Sequence, residues 1–177
     1  MSYQDTKIKM CGLRREQDIM MANLLPIDYI GFVFATKSSR YLLDSEAADL
    51  KGLLAPSIQA VGVFVNEPVD HVVELLDQGI IDIAQLHGKE DAAYVAELRS
   101  KTDKPIWQAF ALKEDEDIAK ANASQADMIL LDSSGGGSGN TFDWKKLDGI
   151  TRPFMLAGGL NPKNVVEALE ICHPYGV

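Results

Sequence analysis

The sequence of 177 residues is 46% hydrophobic and carries a formal net charge of −9, enough apolar material for one well-cored domain and too little chain for two. The acidic balance argues against general binding to nucleic acid or to an anionic membrane, because both repel the average surface; a small anionic ligand focused by a few local cations is still compatible. No apolar run approaches the roughly 20 residues of a membrane span, and residues 1–7 are polar with no signal-peptide core, so a cytoplasmic location without membrane association is expected. Cys11 and Cys172 lie far apart, and none of His71, His87 and His173 pairs at i, i+4 with another. A disulfide framework or a metal site is therefore not expected.

In chain order, residues 7–10 read as a first strand ending at Cys11-Gly12, and residues 14–25 as a helix stopped by Pro26. The apolar run 29–34 is a second strand, leading into the loop Ala35 to Tyr41. Asp44-Ser45 can cap a helix running to about residue 54, and residues 60–65 form a third strand. Pro68 opens a helix with Val69, Val72, Val73 and Leu76 on one stripe, closed by Gly79. Residues 80–86 read as strand four, 90–99 as an acidic-to-basic helix that suits its dipole, 105–111 as strand five and 114–121 as a helix. Residues 128–131 are strand six; 142–147 allow a short helix; 153–157 are strand seven; Asn161-Pro162 can start a last helix, with Val165, Ala168, Leu169 and Cys172 on its core stripe.

Strands recur every roughly 20 to 26 residues, the length of one short βα unit, and no linker or low-complexity tract divides the seven units, so a single domain over 1–177 is expected. Such alternation specifies a parallel sheet with covering helices, doubly wound or closed into a barrel. In either arrangement the loops after the strands carry the chemistry. Asp132 stands there, directly after the buried-strand run Met128 to Leu131 and before the glycines at 135–137 and 139. A strand-ending Asp before glycines also suits a plain turn or helix cap. The glycine run matches neither a Walker A loop nor a dinucleotide fingerprint.

The loop residues carry a resemblance. Lys9-Met10-Cys11-Gly12-Leu13, Gly31-Phe32-Val33-Phe34 followed by Ser39-Arg40-Tyr41, and Gln85-Leu86-His87-Gly88 each close a predicted strand. So do Leu131-Asp132 with its glycines and Phe142-Asp143-Trp144, and Leu156-Ala157-Gly158-Gly159-Leu160-Asn161-Pro162. Together, over essentially the whole chain, they resemble the phosphoribosylanthranilate isomerase family of tryptophan biosynthesis. The resemblance implies a (β/α)8 TIM-barrel fold with its site on the C-terminal face. It implies a cofactor-free Amadori rearrangement of N-(5-phosphoribosyl)anthranilate, hence a phosphorylated and carboxylated small-molecule substrate. Such chemistry needs an acid to open the furanose ring and a base to take the C2 proton; by resemblance these are Asp132 and Cys11.

Asp132 must then hold a proton, which burial favours, and Cys11 must reach the thiolate; Lys9, two residues away on the same strand face, is expected to assist it. Arg40 is the candidate for the anthranilate carboxylate, because its fork suits that group and the chain is otherwise acidic. His87 is expected to touch the ligand, against the alternative of a satisfied structural histidine. Gly158 and Gly159 are expected at the phosphate, against a plain helix-start turn. Cys172 is assigned to the core. After Val177 the family pattern would continue into strand eight, so the expected fold is a barrel truncated after its seventh βα unit, with open edges that favour self-association and weak turnover by the isolated chain. The alternatives are an inactive or ligand-binding subunit of this fold, or another barrel enzyme acting on a sugar phosphate.

Overall fold

The computed structural model describes residues 5–112, 114–132 and 144–177. It divides into two compact units, one of residues 7–107 and one formed mainly by residues 108–177.

In the 7–107 unit, strands β1 (Lys9–Cys11), β2 (Tyr29–Val33), β3 (Gln59–Phe64) and β4 (Ile83–Leu86) alternate with helices α1 (Glu16–Ala22), α2 (Asp44–Gly52), α3 (Val69–Asp77) and α4 (Ala92–Lys101). The four strands pair in sequence order, all parallel. Their register aligns Cys11 with Gly31, Gly31 with Val61 and Val61 with Ile83. Because side chains alternate along a strand, Lys9, Cys11, Val33, Val63 and Gln85 therefore share one face of the sheet. The other face presents Ile30, Phe32, Ala60, Phe64, Ala84 and Leu86, all fully buried. Ile19, Val72, Leu75, Leu76, Val95 and Leu98 of the helices are equally buried, and Phe34 stacks on Phe64 with ring centroids 5.2 Å apart. Buried apolar area of this kind supplies most of the folding free energy, at about 25 cal/mol per Å².

Loop ends are tied by acids and amides at the N-terminal ends of the strands. Asp28 takes Lys7 Nζ at 2.7 Å and the Ile8 N–H at 2.9 Å; Asp82 takes the Ala60 N–H at 2.7 Å and pairs with Lys51. Asn23 binds both the Leu53 carbonyl and the Ala55 N–H, at 2.9 Å each. Strand four is shorter than the apolar run predicts. The N–H groups of Ile80 and Ile81 turn back to the Leu75 carbonyl, and Gly79 at φ +70° makes that helix end possible. Helix α2 begins one residue earlier than Asp44-Ser45 suggests: Leu43 is the cap residue, its N–H held by the Glu46 carboxylate at 2.8 Å. Asp44 is thereby released to bond His71 Nε2 at 2.9 Å.

Strand β5 (Ile106–Ala111) runs from the first unit into the second, where helix α5 (Asp115–Ala123), β6 (Met128–Asp132), a 3-10 turn (Trp144–Gly149), β7 (Phe154–Ala157) and α6 (Val165–Cys172) follow. Strands β6 and β7 pair in parallel from Ile129 opposite Phe154 to Asp132 opposite Ala157. The core here is Leu112, Ala121, Ile129, Leu131, Leu147, Phe154, Leu156 and Ala168, with Cys172 and Val177 packed against it. Burial pushes the Cys172 thiol up to about 11, aided by the charge of Asp148, so it stays a thiol on the core stripe assigned to it. Helix α6 starts at Val165, later than Asn161-Pro162 implies; Asn161 instead organises the turn before it, accepting from the Lys163 N–H at 2.9 Å. The last residues extend the sheet: Tyr175 N–H bonds the Phe154 carbonyl and Leu156 N–H the Gly176 carbonyl, both at 2.9 Å, with Met155 and Gly176 in a parallel bridge. No helix among the described residues is long and apolar enough to cross a membrane.

Candidate active site

The C-terminal ends of β1, β2 and β4 bring four of the sequence-assigned features into one unit. Cys11 is the last residue of β1 and is exposed. The register sets it beside Gly31, where a Cβ would stand 2.6 Å from its Sγ and 3.1 Å from its Cα. The thiol thus occupies the space that any larger residue at 31 would fill. Gly12 follows at φ +88°, a conformation that favours glycine, and donates its N–H to the Gly31 carbonyl at 2.8 Å.

Arg40 lies across this turn. Its Nη1 donates to the Cys11 carbonyl at 3.2 Å, and a Cβ on Gly12 would fall 2.7 Å from the same Nη1 and 3.0 Å from Nε. Its own N–H is held by Ser38 Oγ at 3.1 Å, and Arg14 Nη1 donates to the carbonyl of Ser39. The loops after β1 and β2 are therefore joined by two arginines reaching in opposite directions. Lys9 shares the sheet face of Cys11, as alternation requires.

At the end of β4, His87 is half-buried and its N–H bonds the Phe64 carbonyl at 2.8 Å. Gln85 Nε2 lies 2.9 Å from His87 Nδ1. Gln85 is 1% exposed, and its Oε1 is buried without a hydrogen-bond partner. In the sequence Gln85 stands only within the Gln85-Leu86-His87-Gly88 motif; the signal there is an amide two residues before a strand-end histidine, on the same face.

In the second unit, Asp132 ends β6 and is only 4% exposed. Its following glycines at 135–137 and 139, and Phe142, lie outside the described residues. Gly158 and Gly159 follow β7 at φ +85° and +67°. The Gly159 carbonyl accepts from the side-chain amides of Asn161 and Asn164 at 3.2 and 3.0 Å, so the helix-start turn exists as a structural element in its own right. No cluster of three or more His, Cys, Asp or Glu able to hold a metal occurs among the described residues.

Strands alternating with helices, and polar side chains collected at the strands' C-terminal ends, define an enzyme of the (β/α)8-barrel class. Residues 8–177 match the family of N-(5'-phosphoribosyl)anthranilate (PRA) isomerase. The N-(5'-phosphoribosyl)anthranilate isomerase of Thermoanaerobacter pseudethanolicus is 42% identical over 177 residues, 97% of this chain and 85% of the relative. That of Clostridium acetobutylicum is 38% identical over 179 residues with the same coverage. Among solved structures, phosphoribosylanthranilate isomerase from Thermotoga maritima superimposes with a TM-score of 0.84 at 31% identity, covering 97% of this chain and 85% of its own. A phosphoribosyl anthranilate isomerase in complex with reduced 1-(o-carboxyphenylamino)-1-deoxyribulose 5-phosphate gives a TM-score of 0.83 at 29% identity, with equal coverage. The chain belongs to the N-(5'-phosphoribosyl)anthranilate isomerase family.

Proposed function

We propose that the chain converts N-(5-phosphoribosyl)anthranilate to 1-(2-carboxyphenylamino)-1-deoxyribulose 5-phosphate, with Asp132 as general acid and Cys11 as general base. The single observation that carries this reading is the pair of strand ends on which the two groups stand: a thiol closing β1 and a buried carboxyl closing β6.

Asp132 donates a proton to the furanose ring oxygen; the C1–O bond breaks as the anthranilate nitrogen lone pair forms the C1=N bond of an iminium. That cation acidifies the C2 proton, which the Cys11 thiolate removes to give an enaminol. A proton then returns to C1 as the C2 hydroxyl proton leaves, which yields the ketone at C2, so C2 is oxidised as C1 is reduced and no external electron acceptor is consumed. Lys9 lies on the same sheet face and adds a positive charge to the Cys11 side of the site. Arg40 receives the anthranilate carboxylate, His87 contacts the ligand, and the backbone at Gly158 and Gly159 receives the phosphate.

A substrate with two anionic groups does not cross a bilayer unaided, and we place the reaction in the cytoplasm. Self-association is part of the same proposal: Ile8 and Met10 beside β1 and Met20, Met21 and Leu24 around α1 are exposed apolar side chains, a surface that association would cover.

Turnover followed by anthranilate fluorescence tests the roles. Cys11→Ser and Asp132→Asn are expected to lower kcat by about 10²- to 10⁴-fold, with binding of the reduced product analogue retained. Wild-type kcat in either variant refutes the assignment.

A further inference from the structure

We propose that Arg14 acts with Arg40 as a two-guanidinium receptor for the aromatic carboxylate of the substrate, and so sets specificity; the proposal rests on the reading of Arg40 given above. A cleft of about 430 Å³ opens beside the loop after β1, lined by Gly12, Arg14, Arg15 and Asp18. Arg14 and Arg15 line this cleft and Arg40 packs on Gly12, and the three charges are spent differently.

Arg15 is neutralised. Its Nη2 stands 2.7 Å from Asp18 Oδ1. The hydrogen bond from Arg15, with the Arg14 N–H on the same carboxylate, holds Asp18 down at about 2. Arg14 and Arg40 are anchored instead by neutral acceptors: Arg14 on the Ser39 carbonyl, Arg40 on the Cys11 carbonyl at 3.2 Å. Among the described residues no carboxylate pairs with either of them. A guanidinium has five N–H donors in a planar fork, and one backbone carbonyl leaves most of them to bind elsewhere.

Two uncompensated cations on adjoining loops are conspicuous in a chain of net charge −9, and such a pair raises the local concentration of an anion. Arg14 grips Ser39, the residue before Arg40, and Arg40 grips Cys11, so the two side chains cross-link the loops after β1 and β2 and hold both cations at that pair of loops. With the phosphate assigned above to the backbone at Gly158 and Gly159, the oxyanion left for these cations is the carboxylate ortho to the reacting nitrogen.

Reduced 1-(o-carboxyphenylamino)-1-deoxyribulose 5-phosphate and the same compound lacking the carboxylate are titrated against the full chain and its Arg14→Met, Arg14→Lys and Arg40→Met variants. Arg14→Met is expected to weaken the carboxylated ligand about tenfold or more, the loss of one charge-assisted contact, and to leave the other ligand unchanged. Arg14→Lys recovers part of the loss, and the discrimination shrinks as salt is raised. Equal weakening of both ligands by Arg14→Met reduces the residue to a loop clamp and overturns the proposal, as does no weakening of either. Inorganic phosphate displacing the carboxylate-free ligand in wild type but not in Arg14→Met identifies a phosphate subsite and also overturns it. If Arg40→Met alone discriminates between the ligands, the Arg40 reading stands and the Arg14 proposal falls. If neither variant discriminates, both fall.

Discussion

Gly12→Ala isolates the packing of Arg40 from the rest of the site. The new Cβ would stand 2.7 Å from Arg40 Nη1 and 3.0 Å from Nε, against an ordinary contact of 3.4 Å or more. Arg40 Cδ lies closer still to the new Cβ than either nitrogen, so the end of the side chain must retreat by about 1 Å or swing away. Its bond to the Cys11 carbonyl is already 3.2 Å long and breaks on either movement. A hydrogen bond to a charged group contributes roughly 1.5–3 kcal/mol, which corresponds to about 10- to 150-fold in ligand affinity. Alanine at φ +88° also strains the backbone by about 1–2 kcal/mol, a fall of roughly 2–8 °C in Tm for a chain of this size.

Gly79→Ala is the control, since Gly79 has φ +70° with nothing within 4 Å of an added Cβ. Both variants should lower Tm through backbone strain, Gly12→Ala by more because it also loses the Arg40 bond to the Cys11 carbonyl. Only Gly12→Ala should raise KM and the Kd of the reduced product analogue, with a smaller change in kcat. Unchanged KM in Gly12→Ala, or an equal rise in Gly79→Ala, refutes the claim that Gly12 exists to seat Arg40.

Gly31→Ala places a Cβ 2.6 Å from Cys11 Sγ and should displace the thiol by about 1 Å. A loss on the order of 10²-fold in kcat with little change in analogue binding is expected, and steady-state kinetics with parallel titration decides it; a KM effect alone would place the thiol away from the chemistry. His71 couples stability to pH. Burial works to lower its pKa, but bonds to Asp44 at 2.9 Å and Glu67 at 2.7 Å outweigh it, and the net value lies above the usual 6.5. A raised folded value means that the imidazolium stabilises the fold fully below about pH 6.5 and loses this contribution as pH climbs through the folded pKa. The Tm difference between wild type and His71→Asn should therefore be largest in mild acid and shrink toward pH 8–9; a difference independent of pH contradicts the coupling.

Much of the architecture was legible because each βα unit writes its own pattern. Apolar runs at 29–34, 60–65 and 128–131 became β2, β3 and β6 within one or two residues, since a parallel strand buried on both faces must be continuously apolar. Errors fell where a polar side chain had two possible uses. Asp44 reads as a cap, yet it serves His71 while Glu46 holds the Leu43 N–H. Ile80 and Ile81 read as strand, but the helix-closing bonds to the Leu75 carbonyl claim their N–H groups first. The site divides in the same way. Cys11, Arg40, His87 and Asp132 were picked out by strand-end position and motif. Gln85 and Arg14 were not, because their significance lies in partners distant along the chain or in a face shared with a neighbour.

The sequence by itself determined the alternation of elements, the acidic surface, the strand ends where chemistry belongs and the family pattern, all of which depend on local order along one chain. Tertiary structure decided what those strand ends are worth. It seated the Cys11 thiol against Gly31 and laid Arg40 over Gly12. It cancelled Arg15 with Asp18 while leaving Arg14 on a carbonyl, and turned a glutamine toward His87. These are contacts between residues 2 to 28 positions apart. Apart from the local pairs, they exist only because parallel pairing sets β1 beside β2 in one register, which no single segment can specify.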